Sequence, residues 1–509
     1  MGQMIYLLLL LFVAELVTSV PLSPTLQLSV SGLNEYEKSF DGIKKIARPD
    51  SDIKEAEEPE GIFSKIIKAN KGNTMPVRDG DIMITPGRSA INCTKCLWPK
   101  SADGTVNVPY NLSSDYNDWQ HYLFKIAMAE YESLTCIRFV NWTDQKDYIN
   151  IVSGRGCAGY VGRVGGGQSV SVSTAGCINF GIIQHELNHA LGFYHEHMRS
   201  DRDDYVNIMY QYISPGDTPN FDKIDTNNLG LEYDYGSVMH YDKWSFSNTS
   251  GQPTIVPKPD PNVEIGQRYG MSVLDVSKIN KLYQCDVCSN LLYNNNGTLT
   301  SANYPSAYSN NANCVWLIRT QSNQVTLNFV AFDIQSSPNC MSDYIRIYDG
   351  PTKNYPLILD RTCGSGLVPP IIASTSQLLV EFSSDSSVTG AGFKASYSTV
   401  NCGGTYYTLE RNVTSPNYPN NYGPNMYCIF TVTAPVGKKV SMTFVEFHLE
   451  SFPYCGCDSL RVTDGVNPQG PFCGESIPNF ISAGNFLQLT FISDGSTDLK
   501  GFLAEYTFI

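Results

Sequence analysis

The run His185-Glu186-Leu187-Asn188-His189-Ala190-Leu191-Gly192-Phe193-Tyr194-His195 constrains this 509-residue chain more than any other stretch. Residues four apart on a helix share a face, so the imidazoles of His185 and His189 can meet at one metal ion. Gly192 permits the left-handed backbone that ends a helix abruptly, and a chain reversing there returns His195 to the first two. Three protein ligands leave one coordination position open, which marks a catalytic zinc and not a closed structural one. Glu186, beside the first ligand, is placed to act as general base on an attacking water. The chain has only seven histidines, so this clustering is specific.

The surroundings read as an α+β layout. Trp119, Tyr122, Leu123, Ile126, Ala127 and Leu134 recur at helical spacing behind a cap expected at Ser114 or Asp115. Cys136 to Val140 and Tyr148 to Val152 are expected to be strands, and Phe180 to His195 resumes a helical pattern. Upstream, Val20 to Arg88 is charged and poorly periodic, with Lys54 to Glu60 running KEAEEPE, a composition suited to a loosely folded pro-segment. It ends in a turn, Thr85-Pro86-Gly87-Arg88, where an activating protease of trypsin-like preference is expected to cut after Arg88.

Ile5 to Ala14 form an apolar run followed by small residues up to Ser19, the pattern of a signal peptide over 1–19. The run is too short to cross a bilayer and no other stretch approaches that length, so no membrane span is expected. Export agrees with 15 cysteines, since disulfides persist in oxidising compartments. It agrees too with N-x-S/T sequons at Asn92, Asn111, Asn141, Asn248, Asn296 and Asn412. In that context Cys93 and Cys96 are expected to form a local disulfide. The net charge of -14 argues against nucleic acid or an anionic membrane surface as main partner.

The C-terminal part repeats itself. Ser301-Ala302-Asn303-Tyr304-Pro305 is answered by Ser415-Pro416-Asn417-Tyr418-Pro419, Tyr348-Asp349-Gly350 by Thr463-Asp464-Gly465, and Phe382 to Asp385 by Phe491 to Asp494. Cys288, Cys314, Cys340 and Cys363 are matched in order by Cys402, Cys428, Cys455 and Cys473. Alternating runs such as Val325 to Phe329 and Leu487 to Phe491 predict two all-β sandwiches. The joints before Cys288 and before Cys402 are too short to be flexible linkers.

With Ser237-Val238-Met239-His240-Tyr241 downstream of the histidine run, the chain resembles a metzincin, and Glu196 after His195 makes it similar to the astacin family. That resemblance implies a zinc metalloendopeptidase with His185, His189 and His195 as ligands. Met239 would lie on a tight turn beneath the metal, and Tyr241 would be a fifth ligand or stabilise the tetrahedral intermediate. It implies disulfides Cys136–Cys285 and Cys157–Cys177. It also implies a mature terminus at Ser89 whose new α-amino group approaches Glu196, a switch that an uncut chain lacks. Asp81, in Arg78-Asp79-Gly80-Asp81, would occupy the water position until activation. The family has phenylalanine where Arg78 stands. Extended substrate would pair along an edge strand near Tyr148 to Ser153. Asn92-Cys93 with Cys96-Leu97-Trp98 resembles the hatching enzymes of the family.

The two repeats resemble CUB domains, implying the pairs Cys288–Cys314, Cys340–Cys363, Cys402–Cys428 and Cys455–Cys473. Cys457 is left over, as a free thiol, an intermolecular link or an alternative partner for Cys473. The family's calcium set, a Tyr, a Glu and two Asp, falls on Tyr422, Glu450, Asp458 and Asp494 in the second repeat. The first keeps Tyr308, Asp343 and Asp385 but has Gln335 for the glutamate, so Ca²⁺ is expected in the second repeat only.

The expected organisation is a signal peptide 1–19, a propeptide 20–88, a metalloprotease domain 89–285 and CUB domains 288–400 and 402–509. It fits a secreted zymogen, stored in secretory granules, that hydrolyses egg-envelope glycoproteins as a hatching enzyme. A tolloid- or meprin-like processor of extracellular-matrix precursors is the alternative. It would carry a cysteine-dense EGF segment between the repeats, and none occurs. A silent CUB-mediated binding protein would lack a ligand or the glutamate, and this run lacks neither.

Overall fold

The computed structural model describes residues 61–72, 76–84, 96–267, 269–407, 412–435 and 437–509, with the backbone alone of 27–28. The expected signal peptide, most of the expected propeptide, Arg88, Ser89, Asn92 and Cys93 lie outside the described residues.

The catalytic part is built on a sheet of β1 (Val77–Arg78), β2 (Ile82–Met83), β3 (Val106–Leu112), β4 (Ile137–Asn141), β5 (Tyr148–Val152), β6 (Cys157–Gly159) and β7 (Gly167–Val172). Their lateral order is β1-β2-β6-β7-β5-β3-β4. The β3–β4, β3–β5 and β5–β7 pairs are parallel and β6–β7 is antiparallel. A parallel pair needs a long crossover, and the helix Asp118–Leu134 supplies it between β3 and β4. That helix starts later than Ser114 or Asp115 would place it. Asn117 is the cap, because its side chain accepts from the Gln120 N–H while the Gln120 side chain accepts from its own N–H.

Two further expectations are corrected by this topology. Tyr148 to Val152 is an interior strand, paired in parallel with β3 on one side and β7 on the other; no edge is open there. The edge nearest the histidines is β6, and strand β2 of the expected pro-segment pairs with it. The expected pro-segment is not loosely folded where it is described. Ile62–Asn70 is a helix burying Ile62, Phe63 and Ile66, followed by the β1–β2 hairpin.

Each repeat is a sandwich. In the first, strands Cys288–Leu292, Asn313–Arg319, Gln377–Ser383, Tyr344–Tyr348 and Leu357–Ser365 form one face, and Gln324–Ile334, Gly392–Val400 and Gly297–Thr300 the other. In the second, Cys402–Tyr406, Tyr427–Thr433, Phe486–Ile492, Ser459–Thr463 and Gln469–Phe472 face Asn412–Thr414, Gly501–Phe508, Val440–His448 and Phe480–Ile481. In both, the opening strand runs parallel to its neighbour, with Cys288 opposite Cys314 and Cys402 opposite Cys428. The structure forms these two bonds together with Cys136–Cys285, Cys157–Cys177, Cys340–Cys363 and Cys455–Cys473. Cys457 is a free thiol.

The joints are packed. Leu291, Val315, Leu317, Tyr348 and Leu379 of the first repeat share one apolar core with the catalytic part. Arg319 crosses the same joint, its Nη2 2.5 Å from Glu130 Oε1 with both side chains buried, while its Nη1 donates to Met271 O at 2.9 Å. Ile372, Val400 and Ile429 form a small cluster between the repeats.

Candidate active site

The helix Phe180–Leu191 carries the first two histidines. Asn179 caps its start by accepting from the N–H groups of Gly181 and Ile182. At its end Gly192 takes φ 109° and its N–H donates to the carbonyls of Asn188 and His189. That reversal places the His195 ring centroid 5.2 Å from His185 and 4.9 Å from His189. Trp98 Nε1 donates to Ala190 O at 2.9 Å and braces the same helical end.

His185 Nδ1 donates to Val238 O and His189 Nδ1 to Phe193 O, each at 2.8 Å. These bonds fix the tautomer and leave both Nε2 lone pairs facing inward. There His185 Nε2 lies 3.3 Å from His195 Nε2. Asp81 joins them, with its oxygens 2.9 Å from His185 Nε2, 3.4 Å from His189 Nε2 and 3.1 Å from His195 Nε2. All four side chains are fully buried, and His189 Nε2 and Asp81 Oδ1 have no hydrogen-bond partner. Acceptors packed this closely repel one another unless a cation lies among them, so the donor set fits the zinc of a three-histidine site. Asp81 therefore stands among the three histidines in the uncut chain.

Glu186 is fully buried and neither carboxylate oxygen has a partner. Burial, and then the charge of Asp81, push its pKa well above the usual value. Gly159 of β6 makes room for it, since a Cβ there would stand 3.3 Å from Glu186 Oε2. This glycine gave no sequence signal. Tyr241 is also fully buried. Its hydroxyl donates to Asp79 O at 2.6 Å, and its ring stacks on Phe63 at 3.7 Å between centroids. Met239 is buried, and its carbonyl accepts from the Glu196 N–H at 3.0 Å.

Residues of the expected pro-segment thus touch the site at several points. Asp79 (φ 53°) and Gly80 (φ 86°) make the turn that aims Asp81 inward. Gly159 N–H donates to Asp81 O at 3.1 Å. Asn70 Nδ2 donates to Gly80 O and to Cys157 O, and Cys157 N–H donates back to Asn70 Oδ1, all at 2.8 Å. Where the family has phenylalanine, Arg78 turns outward and pairs with Asp79 at 2.6 Å. An aromatic ring does reach the site, but from Phe63 on the preceding helix.

Glu196 also differs from expectation. The resemblance implies that an uncut chain offers it no amine, yet Lys278 Nζ stands 2.6 Å from Glu196 Oε2 and Arg199 Nη1 3.2 Å from Oε1.

In the second repeat Asp458 is fully buried; its carboxylate accepts from Tyr422 OH and from Asp494 N–H. Glu450 N–H donates to Tyr422 OH at 3.3 Å. Ligand atoms of Glu450, Asp494 and, unforeseen from sequence, Cys457 lie within 4.8 Å of one another. Burial and the neighbouring carboxylates push the Cys457 thiol up to about 11. The first repeat repeats the scaffold, with Tyr308 OH on Asp343 and Asp385 N–H on Asp343, but Gln335 supplies no charge.

Comparison with known proteins agrees with this geometry. The model of the Astacin peptidase family matches residues 93–284, and the CUB domain model matches 288–397 and 402–506. Embryonic protein UVS.2 of Xenopus laevis is 54% identical over 473 residues, covering 92% of each chain. An astacin-like metalloendopeptidase of Gallus gallus is 50% identical over 341 residues, 67% of this chain and 83% of that one. Among solved structures, the hatching enzyme zinc-protease high choriolytic enzyme 1 of Oryzias latipes is 49% identical. It covers 39% of this chain and all of its own, with a TM-score of 0.38. The buried histidine triad, its glutamate and the two sandwiches behind them belong to a zinc-dependent metalloendopeptidase of the astacin family bearing two CUB domains.

Proposed function

We propose that this chain is a secreted zymogen whose mature form is a hatching enzyme, an endopeptidase acting on egg-envelope glycoproteins. The observation that carries the latency is Asp81 seated among His185, His189 and His195. A protease cutting after Arg88 would free the pro-segment, 20–88, from the enzyme. Zinc held by the three histidines supplies Lewis-acid polarisation of the scissile carbonyl.

The chain's own groups do the rest. Once Asp81 leaves, the second cause of the raised Glu186 pKa goes with it. Glu186 then takes a proton from the attacking water and passes it to the leaving amine. Tyr241, released from Asp79 O, would turn its hydroxyl to the developing oxyanion as a hydrogen-bond donor. The strand β6, freed of Ile82, offers its edge to an extended substrate.

Export is supported by the apolar leader 1–19, the disulfides, and the exposure of Asn111, Asn141, Asn248, Asn296 and Asn412. No helix among the described residues is long and apolar enough to cross a membrane. The hatching assignment is supported by two CUB domains that follow directly on the catalytic domain and by the embryonic relative. Storage in secretory granules would suit a timed release. Tyr422, Glu450, Asp458 and Asp494 would bind Ca²⁺ in the second CUB domain. Matrix-precursor processing in the tolloid manner is the competing assignment. Incubating the cut enzyme with isolated egg envelope and with procollagen separates the two. Release of envelope peptides without procollagen processing is expected, and the reverse would overturn the hatching assignment.

A further inference from the structure

Glu196 directly follows the ligand His195, and what holds Glu196 therefore holds the third histidine. Its carboxylate is buried and fully engaged. Oε2 takes the ammonium of Lys278 at 2.6 Å, and Oε1 accepts from Asp234 N–H at 2.9 Å and from Arg199 at 3.2 Å. Arg199 is mainly committed elsewhere, with two bonds to Asp201 and others to the carbonyls of Leu231 and Glu232. Lys278 is the short, buried partner.

Lys278 lies on the helix Val273–Leu282, one turn beyond Asp275. Asp275 accepts from Ser237 Oγ at 2.6 Å and from Val238 N–H at 2.8 Å. The carbonyl of that same Val238 is the acceptor for His185 Nδ1. One helix thus grips both ends of the triad: Asp275 through the Val238 peptide to His185, and Lys278 through Glu196 to His195. Residues three apart share a helical face, which is why one helix can do both. Two other buried carboxylates lie nearby: Asp275 is held by the groups just named, and Asp234 is met by Ser272 Oγ and Gly236 N–H and also feels the Lys278 charge.

We propose that Lys278 is a positioning residue that supplies internally the ammonium expected from the mature N-terminus, so catalysis does not depend on the α-amino group of Ser89. The inference rests on the peptidase assignment and adds a residue to it. Latency then lies in Asp81 and the blocked cleft, not in an unformed Glu196 pocket. A further consequence is tolerance: cuts at neighbouring positions should activate equally well.

The test uses the full chain with a short Gly-Ser insertion after Arg88, which lengthens the mature terminus after cutting. The insertion is expected to leave kcat/KM within about twofold of the unextended enzyme. Lys278→Met is expected to lower kcat about tenfold or more with KM little changed, and to lower the Tm by several degrees. Removing both charges, in Glu196→Gln with Lys278→Met, should recover most of the Tm, because no buried charge is then left unpaired. Loss of activity on extension overturns the proposal, as does an unaffected Lys278→Met enzyme. If Lys278→Met does not fold, the extended enzyme decides alone: full activity sustains the proposal and loss refutes it. An unextended enzyme that stays inactive after cutting would instead refute the peptidase assignment, and the Tm comparison would still read the ion pair.

Discussion

His240 sits between Met239 and Tyr241, fully buried, with Nε2 2.8 Å from Tyr233 OH and Nδ1 2.6 Å from Tyr241 O. Burial pushes its pKa down to about 4. Its unfolded value is about 6.5, so between those pH values the unfolded chain binds the extra proton. Stability is then full above about pH 6.5 and falls as the pH drops toward 4, by about 3 kcal/mol from this residue. His240→Gln should flatten that acid loss in urea-unfolding midpoints measured from pH 7 to 4.5; an unchanged slope would mean that the ring is protonated in the fold. His197, also buried and neutral, shares the direction.

Elements show where the sequence was legible. His185, His189, Gly192 and His195 could be placed in advance because helical spacing and a left-handed cap are local properties. The helix Ile62–Asn70 could not, since its apolar residues sit behind a charged stretch and gain their order from a wall supplied by Tyr241, Phe246 and the triad. The resemblance implied an edge near Tyr148 to Ser153, yet partners on both sides enclose Tyr148 to Val152, and lateral pairing is a non-local property that the local sequence does not report. Phe63 is the anchor of the pro-segment helix. Phe63→Ala removes the ring stacked on Tyr241 and should weaken docking by about 3–5 kcal/mol. The expected outcome is measurable peptide hydrolysis by the uncut chain, above that of the unaltered zymogen. An equally silent variant would place the hold on Asp81 and the β2–β6 pairing alone.

At the scale of the molecule, the first CUB domain is fused to the catalytic part and not tethered to it. The short joint after Cys285 foretold contact, but Glu130 and Arg319, far apart in sequence, gave no sign of pairing. Their carboxylate and guanidinium are buried at an interface with a shared apolar core. Arg319→Met strands the Glu130 charge, and should destabilise the catalytic part and the first CUB domain together by about 3–5 kcal/mol. Adding Glu130→Gln should restore much of it; separate unfolding of the two parts in calorimetry would contradict a common core. Arg319 also holds Met271 O, and Met271 N–H donates to Gln184 beside His185. The first CUB domain is therefore continuous with the frame of the active site.

The central claim is a zinc endopeptidase held silent by Asp81 until the chain is cut. Its most direct test is the rate of hydrolysis of a fluorogenic peptide by the zinc-loaded chain before and after cutting at Arg88, beside the cut Glu186→Gln variant. The account predicts a rise of about a hundredfold or more on cutting, reversed by a chelator, with Glu186→Gln silent although folded and zinc-loaded. Equal rates before and after cutting, or full activity in the Glu186→Gln variant, would contradict it.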